Sequence, residues 1–181
     1  MDSVIIRFRG FDEGDLQMRF ARVHHLWKKR KSIAAGIAKD QVDAYTLENL
    51  ILDFFRLPKS GFLAWLLRRL IVDIYIVDSV YYVCEPEIVD MPFLSGRDYN
   101  IDIYDCDDFS FSAKGSVTDK GYITRKNYAF GIVFVYISDE DIGHALNFYV
   151  DENKKVRLYE PQTNESFDEF PEDWIPMLVV I

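Results

Sequence analysis

The sequence predicts an α+β fold, with a helical N-terminal part followed by an antiparallel sheet. Three observations carry this reading. Apolar residues recur at three- and four-residue spacing through the first 70 positions. From Asp73 onward, runs rich in Ile, Val and Tyr replace that period. Between these runs lies a long segment punctuated by Pro86, Pro92 and Gly96, followed by one short helical stretch.

Taken in order, residues 12–31 read as a helix. Leu16, Phe20, Val23 and Trp27 form its apolar stripe, and Asp12, Glu13 and Asp15 complement its N-terminus. A second helix is expected over Asp40–Leu57, with Pro58 as its stop. Ser60 can cap a third, from Gly61 to about Leu70. The β-branched and aromatic content of Asp73–Val83 favours a strand. Residues 85–104 read as a long loop, a class of segment that often carries function. A short helix is expected from Asp105 or Cys106 to Ala113, ended by Gly115. Lys126–Ile137 reads as a buried strand. Gly143–Val150 and Lys155–Glu160 read as a hairpin turning at residues 151–154, and Trp174–Ile181 as a closing strand. The chain thus divides into a helical region, 1–72, and a core, 73–181, or the two form one integrated domain.

Composition narrows the function classes. The chain has 181 residues, 49% of them hydrophobic and 15% aromatic, which excludes intrinsic disorder. Two cysteines exclude a disulfide-dense scaffold and an all-cysteine zinc site. The start, Met1-Asp2-Ser3-Val4, lacks the basic-then-apolar pattern of a signal peptide. The most apolar stretch, Gly61–Val83, is interrupted by Arg68, Arg69, Asp73 and Asp78, so no membrane span and a cytoplasmic location are expected. The net charge of −9 is uneven. Residues 1–72 hold 13 basic and 8 acidic side chains (+5), and residues 73–181 hold 8 and 22 (−14). The acidic part repels nucleic acid and suits divalent cations. The run Lys28–Lys31 could make a weak nucleic-acid contact, or simply be a solvated helix end.

Few residues can carry chemistry. Cys84 ends the run Val-Tyr-Tyr-Val-Cys and reads as a core residue. His24 and His25 are neighbours on a helix and diverge by about 100°, so they make no metal pair. Cys106 opens a helix whose N-terminus can favour a thiolate. His144 opens a strand and could act as its base. Glu160, sixteen residues on, can return beside His144 through the hairpin and fix its tautomer. The set is a Cys-His-acid triad in chain order. Asp105, Asp107 and Asp108 work against it, because nearby negative charge raises a thiol pKa. In the plainer alternative, Cys106 is a buried helix residue, His144 an edge-strand polar residue and the aspartates a cap.

The blocks Tyr104-Asp105-Cys106-Asp107-Asp108-Phe109, Gly143-His144-Ala145-Leu146-Asn147 and Tyr159-Glu160-Pro161-Gln162 resemble the papain-like C-terminal domain of the Marasmius oreades mushroom agglutinin (chimerolectin) family. The resemblance covers roughly residues 73–181. It implies a papain-like cysteine protease domain with a Cys-His-Glu triad: Cys106 the nucleophile, His144 the base, Glu160 the orienting acid. It also implies a peptidase activity that depends on calcium. Asp107 and Asp108, with Asp139 or Asp141, are the candidate ligands. The side-chain amide that papain-like enzymes place six residues before the cysteine falls on Asn100, and Gln162 is a second amide near the acid. The first 72 residues show no trefoil lectin repeat, so sugar binding does not transfer.

The expected function is therefore a thiol hydrolase acting on a protein or peptide substrate, with no cofactor needed for the chemistry itself. A transglutaminase-like acyl transferase and a non-catalytic binding or structural module on the same fold are the alternatives.

Overall fold

The computed structural model describes residues 37–57, 72–89, 100 and 105–181. The expected helices over 12–31 and 61–70, the histidines His24 and His25, and the run Lys28–Lys31 lie outside these residues. Residues 37–181 form one compact unit. Its elements are β1 (Gln41–Asp43), α1 (Ala44–Phe54), β2 (Asp73–Tyr75), β3 (Val80–Tyr82), α2 (Pro86–Val89), α3 (Cys106–Thr124), β4 (Phe130–Ile137), β5 (Ile142–Val150), β6 (Val156–Glu160), β7 (Glu165–Phe167) and β8 (Trp174–Val180).

This corrects the predicted fold class. Among the described residues strand positions outnumber helical ones, and helices and strands are interspersed up to Thr124 instead of forming a papain-like helical part followed by a sheet. A six-stranded sheet runs in the order β2-β8-β4-β5-β6-β7, and β1 and β3 form a separate pair. The large sheet is mixed, because β2 runs parallel to β8. The reason is long-range pairing, which local period cannot reveal. Gln41–Asp43, expected inside a helix, pairs antiparallel with Val80–Tyr82. The single strand expected over 73–83 splits at Asp78–Ser79, and its halves join different sheets.

Two apolar layers cover the large sheet. On one face, Leu47, Ile51 and Phe55 pack with Val133, Val135, Leu146, Phe148 and Leu158. On the other, Ala113 and Val117 of α3 pack with Phe130, Tyr149 and Tyr159. Alternation along each strand sends successive side chains to opposite faces, so β4 and β5 are covered on both. Leu146, Phe148 and Leu158 are fully buried. Each contributes on the order of 1.5–3 kcal/mol of transfer free energy.

Local chemistry sets the element ends. Asp43 caps α1, accepting from the Thr46 amide and hydroxyl at 2.8 Å each. Helix α3 runs eleven residues past the expected stop near Ala113. Gly115 is simply an exposed helical position, and the left-handed cap is Arg125, with φ 59°. Gly121 is the glycine this helix requires, since a Cβ there would lie 2.4 Å from the Lys126 carbonyl oxygen. Pro176 cannot donate to the ladder, and the β4–β8 register shifts between Phe134 and Val135, opposite it.

The β5–β6 hairpin turns on Asp151. One carboxylate oxygen accepts from the amides of Asn153 and Lys155, both at 2.9 Å, and the other from Arg157 Nε at 2.7 Å. Partial burial opposes ionisation, but the Lys155 amide and the Arg157 guanidinium outweigh it and hold the carboxyl below its ordinary value. A depressed carboxyl stabilises the fold above its unfolded pKa, and that contribution is lost as pH falls through the folded value. Asp151→Asn should therefore cost about 1–3 kcal/mol near neutral pH. Urea denaturation at pH 7 and at pH 3 checks this, and the gap between variant and wild type should shrink in acid.

Candidate binding site around His144 and Glu160

The site forms where two paired strands separate. β5 pairs with β4 from Ile142 to Tyr149, all but its last residue. It pairs with β6 only from Asn147 to Val150. Residues 142–146 thus extend beyond the β5–β6 ladder, where His144 meets Glu160 and Cys106 meets the Ala145 amide.

His144 Nε2 lies 2.7 Å from Glu160 Oε2, with both side chains half-buried. The other Glu160 oxygen accepts from the Gln162 amide at 3.1 Å, which fixes the carboxylate at both ends. The Gln162 side chain is exposed. Trp174 meets the His144 ring edge-on, with centroids 6.0 Å apart. Cys106 opens α3 as expected, and its sulfur is met by the amide of Ala145, the residue next to His144. Asn100, the other expected amide, is exposed.

The neighbouring aspartates act on the thiol as their charge predicts. Burial pushes Cys106 up, the Ala145 amide pulls it down, and the carboxylates of Asp105 and Asp107 push it up again. The net effect is a pKa above the ordinary thiol value. The helix N-terminus does not outweigh desolvation and two acids. Cys84 is buried, and its thiol is raised further, with its sulfur 3.7 Å from the Ala129 carbonyl. Both cysteines are free.

The carboxylates also regroup. Asp105, Cys106 and Asp107 each present a ligand atom within 4.8 Å of the others. Of the expected ligands, Asp108 turns back to accept from the Asp105 amide at 3.3 Å. Asp141 accepts from the Tyr136 hydroxyl in an exposed turn, and Asp139 is exposed. One Asp105 oxygen is buried and finds no donor. The Asp105 and Asp107 carboxyls meet, and two acceptors can bond only through a shared proton, which pushes Asp107 up. A hard cation could replace that proton, with the two carboxylates as its ligands and the neutral thiol a poor one.

Sequence reasoning missed Trp174 and Asp105 as parts of the site. Trp174 arrives through the pairing of β8 with β4, opposite Ile137, and no local pattern marks it. Asn147 closes the same Gly143–Asn147 block as His144. It is buried, and its Nδ2 donates to the Ser110 and Gly131 carbonyls at 3.0 Å each, tying α3 to the sheet.

The family described as "Agglutinin C-terminal" matches residues 87–166, which include the site. None of the curated proteins compared matches the chain. Among solved structures, one titled "PSL1a-E64 complex" is similar with a TM-score of 0.60 at 19% identity, over 78% of this chain and 51% of that one. The lectin of Polyporus squamosus, bound to a human-type influenza-binding epitope, is similar with a TM-score of 0.59 at 19% identity, over 78% of this chain and 50% of that one. The chain spans about half the length of both. These likenesses give the fold alone.

The comparisons correct the enzyme expectation. The matched family is described as an agglutinin, so the readings as hydrolase, cysteine protease and thiol protease do not stand. Alkylation by iodoacetamide checks the chemistry. In Cys84→Ala protein, Cys106 should react more slowly at pH 7.5 than an unstructured cysteine peptide, with a midpoint on the alkaline side of it. A faster reaction with an acid-shifted midpoint would show a thiolate instead.

Proposed function

We propose that residues 37–181 are a non-catalytic binding module of agglutinin type, with its ligand surface at the end of the β5–β6 ladder. The proposed ligand is a glycan. The observation that carries this reading is the fixed His144–Glu160 pair set against Trp174. The carboxylate is held at both oxygens, so it offers remaining lone pairs to hydroxyl donors in a defined direction. An aromatic ring beside a few placed polar groups is the general design of small-ligand sites. The agglutinin family match and the glycan epitope on the similar lectin support the ligand class. Cys106, Asn100 and Gln162 then have positioning roles or surface contacts.

Binding to an immobilised glycan array is the test. Wild type should retain at least one glycan. Glu160→Gln and Trp174→Ala should each weaken that binding about tenfold or more, as expected for losing a hydrogen bond to a charged group or a packed ring. Unchanged binding in both variants would move the site elsewhere. Cleavage of a denatured protein by wild type, abolished in Cys106→Ala, would overturn the non-catalytic reading itself.

Calcium, implied by the sequence resemblance, would be held by Asp105 and Asp107, where it would relieve their mutual repulsion. A ligand bound only to the folded state raises stability. The melting midpoint should therefore be higher in millimolar calcium than in chelator, and Asp107→Asn should erase the difference. Identical wild-type melts would remove calcium from the account.

A further inference from the structure

The C-terminal end of α3 lies at the opposite end of the helix from Cys106 and carries the opposite charge. A cavity of about 330 Å³ is lined there by Lys114, Tyr122, Arg125, Lys126 and Tyr128, among others. Three of the eight basic residues in 73–181 meet at this cavity, in a region of net charge −14. Arg125 and Lys126 are at a helix C-terminus, where cations complement the macrodipole. That accounts for their sign but not for Lys114, which is in the middle of the helix.

Lys114 is half-buried, and its ammonium donates to the Phe130 carbonyl at 2.6 Å. Desolvation pulls its pKa down. Among the described residues no carboxylate pairs with it. Asp78 contributes to the field at Lys114 but is itself engaged by the Asn127 amide at 3.0 Å. A partly desolvated ammonium has three N–H donors, and among the described residues one is used. Lys126, by contrast, is neutralised by Glu85. Arg125 is exposed, and its guanidinium stacks over the Tyr122 ring at 5.3 Å. Among the described residues, two cations at the cavity have no carboxylate in hydrogen-bond contact, Lys114 at its wall and Arg125 at its rim.

We propose that this cavity is a binding site for a small phosphate monoester, whose dianion pairs with Lys114 and Arg125. Lys114 and Arg125 together match the charge of a phosphate dianion. The guanidinium fork suits phosphate oxygens, and the ammonium acts as a point charge at depth. Tyr122 and Tyr128 give the rest of the ligand an aromatic wall. The site is separate from the proposed glycan surface, and neither reading depends on the other.

The test is an amide-resolved NMR titration of the full chain with inorganic phosphate and with phenyl phosphate, against chloride at equal ionic strength. Saturable shifts centred on residues 114–128 are expected, with a Kd of about 1 mM or tighter for phenyl phosphate. Lys114→Met should weaken binding at least tenfold. Arg125→Gln changes an exposed side chain, so it should leave the fold intact while also weakening binding, which covers the case in which Lys114→Met does not fold. Shifts that do not saturate, that chloride reproduces, or that persist unchanged in Arg125→Gln would overturn the proposal.

Discussion

The pairing of β4 with β5 is the constraint on which the rest of this domain depends. Eight residue pairs, from Phe130 with Tyr149 to Ile137 with Ile142, form the middle of the six-stranded sheet. Both faces of the pair are covered, by α1 with its neighbours on one side and by α3 on the other. A strand buried twice cannot slip by one residue, because the slip would exchange every side chain between two differently shaped layers. Asn147 locks the same register, spanning from β5 to carbonyls on α3 and β4. The site at residues 142–146 follows from this arrangement. β5 stays bound to β4 while β6 pairs only from Asn147 onward, and His144, Glu160 and Cys106 gather at that edge.

Helix α3 gives the domain its charge axis. Its N-terminus carries Asp105, Asp107 and Asp108, and its C-terminus Arg125 and Lys126, each sign matched to the macrodipole. The two ends consequently offer different chemistry. At the start, acids and burial keep the thiol neutral and leave a buried carboxylate oxygen without a donor. At the end, cations border a cavity beside a half-buried lysine. The net charge of −9 describes neither end, since it averages over surfaces with opposite preferences.

Legibility in the sequence followed the range of the interaction. The strands β4, β5, β6 and β8 were readable because their β-branched and aromatic runs are local and sharply bounded. The hairpin at Asp151 was readable for the same reason. The extent of α3 was not. Gly115 looked like a stop, whereas the helix continues on a narrow buried stripe of Phe109, Ala113, Val117 and Gly121. Three-residue strands such as β1 and β7 carry too little pattern to stand out, and they exist because a partner strand is present. At the site, the proximity of His144 and Glu160 was inferable from hairpin length. The thiol's protonation was not, because it depends on burial, on one backbone amide and on which way two carboxylates point.

What the sequence determined by itself is the inventory. It contains one candidate thiol beside three aspartates, one histidine in the acidic part, an acid a hairpin away, and β-rich segments enough for a sheet. Tertiary structure decided how that inventory is wired. It made the sheet mixed, brought Trp174 against His144, turned Asp108 into a cap, drew Asp105 into the carboxylate pair and held Cys106 neutral. The physical reason is that residue types are local facts. Strand partners, burial and electrostatic sign are set by groups far apart in the chain, and those groups meet only after the fold has formed.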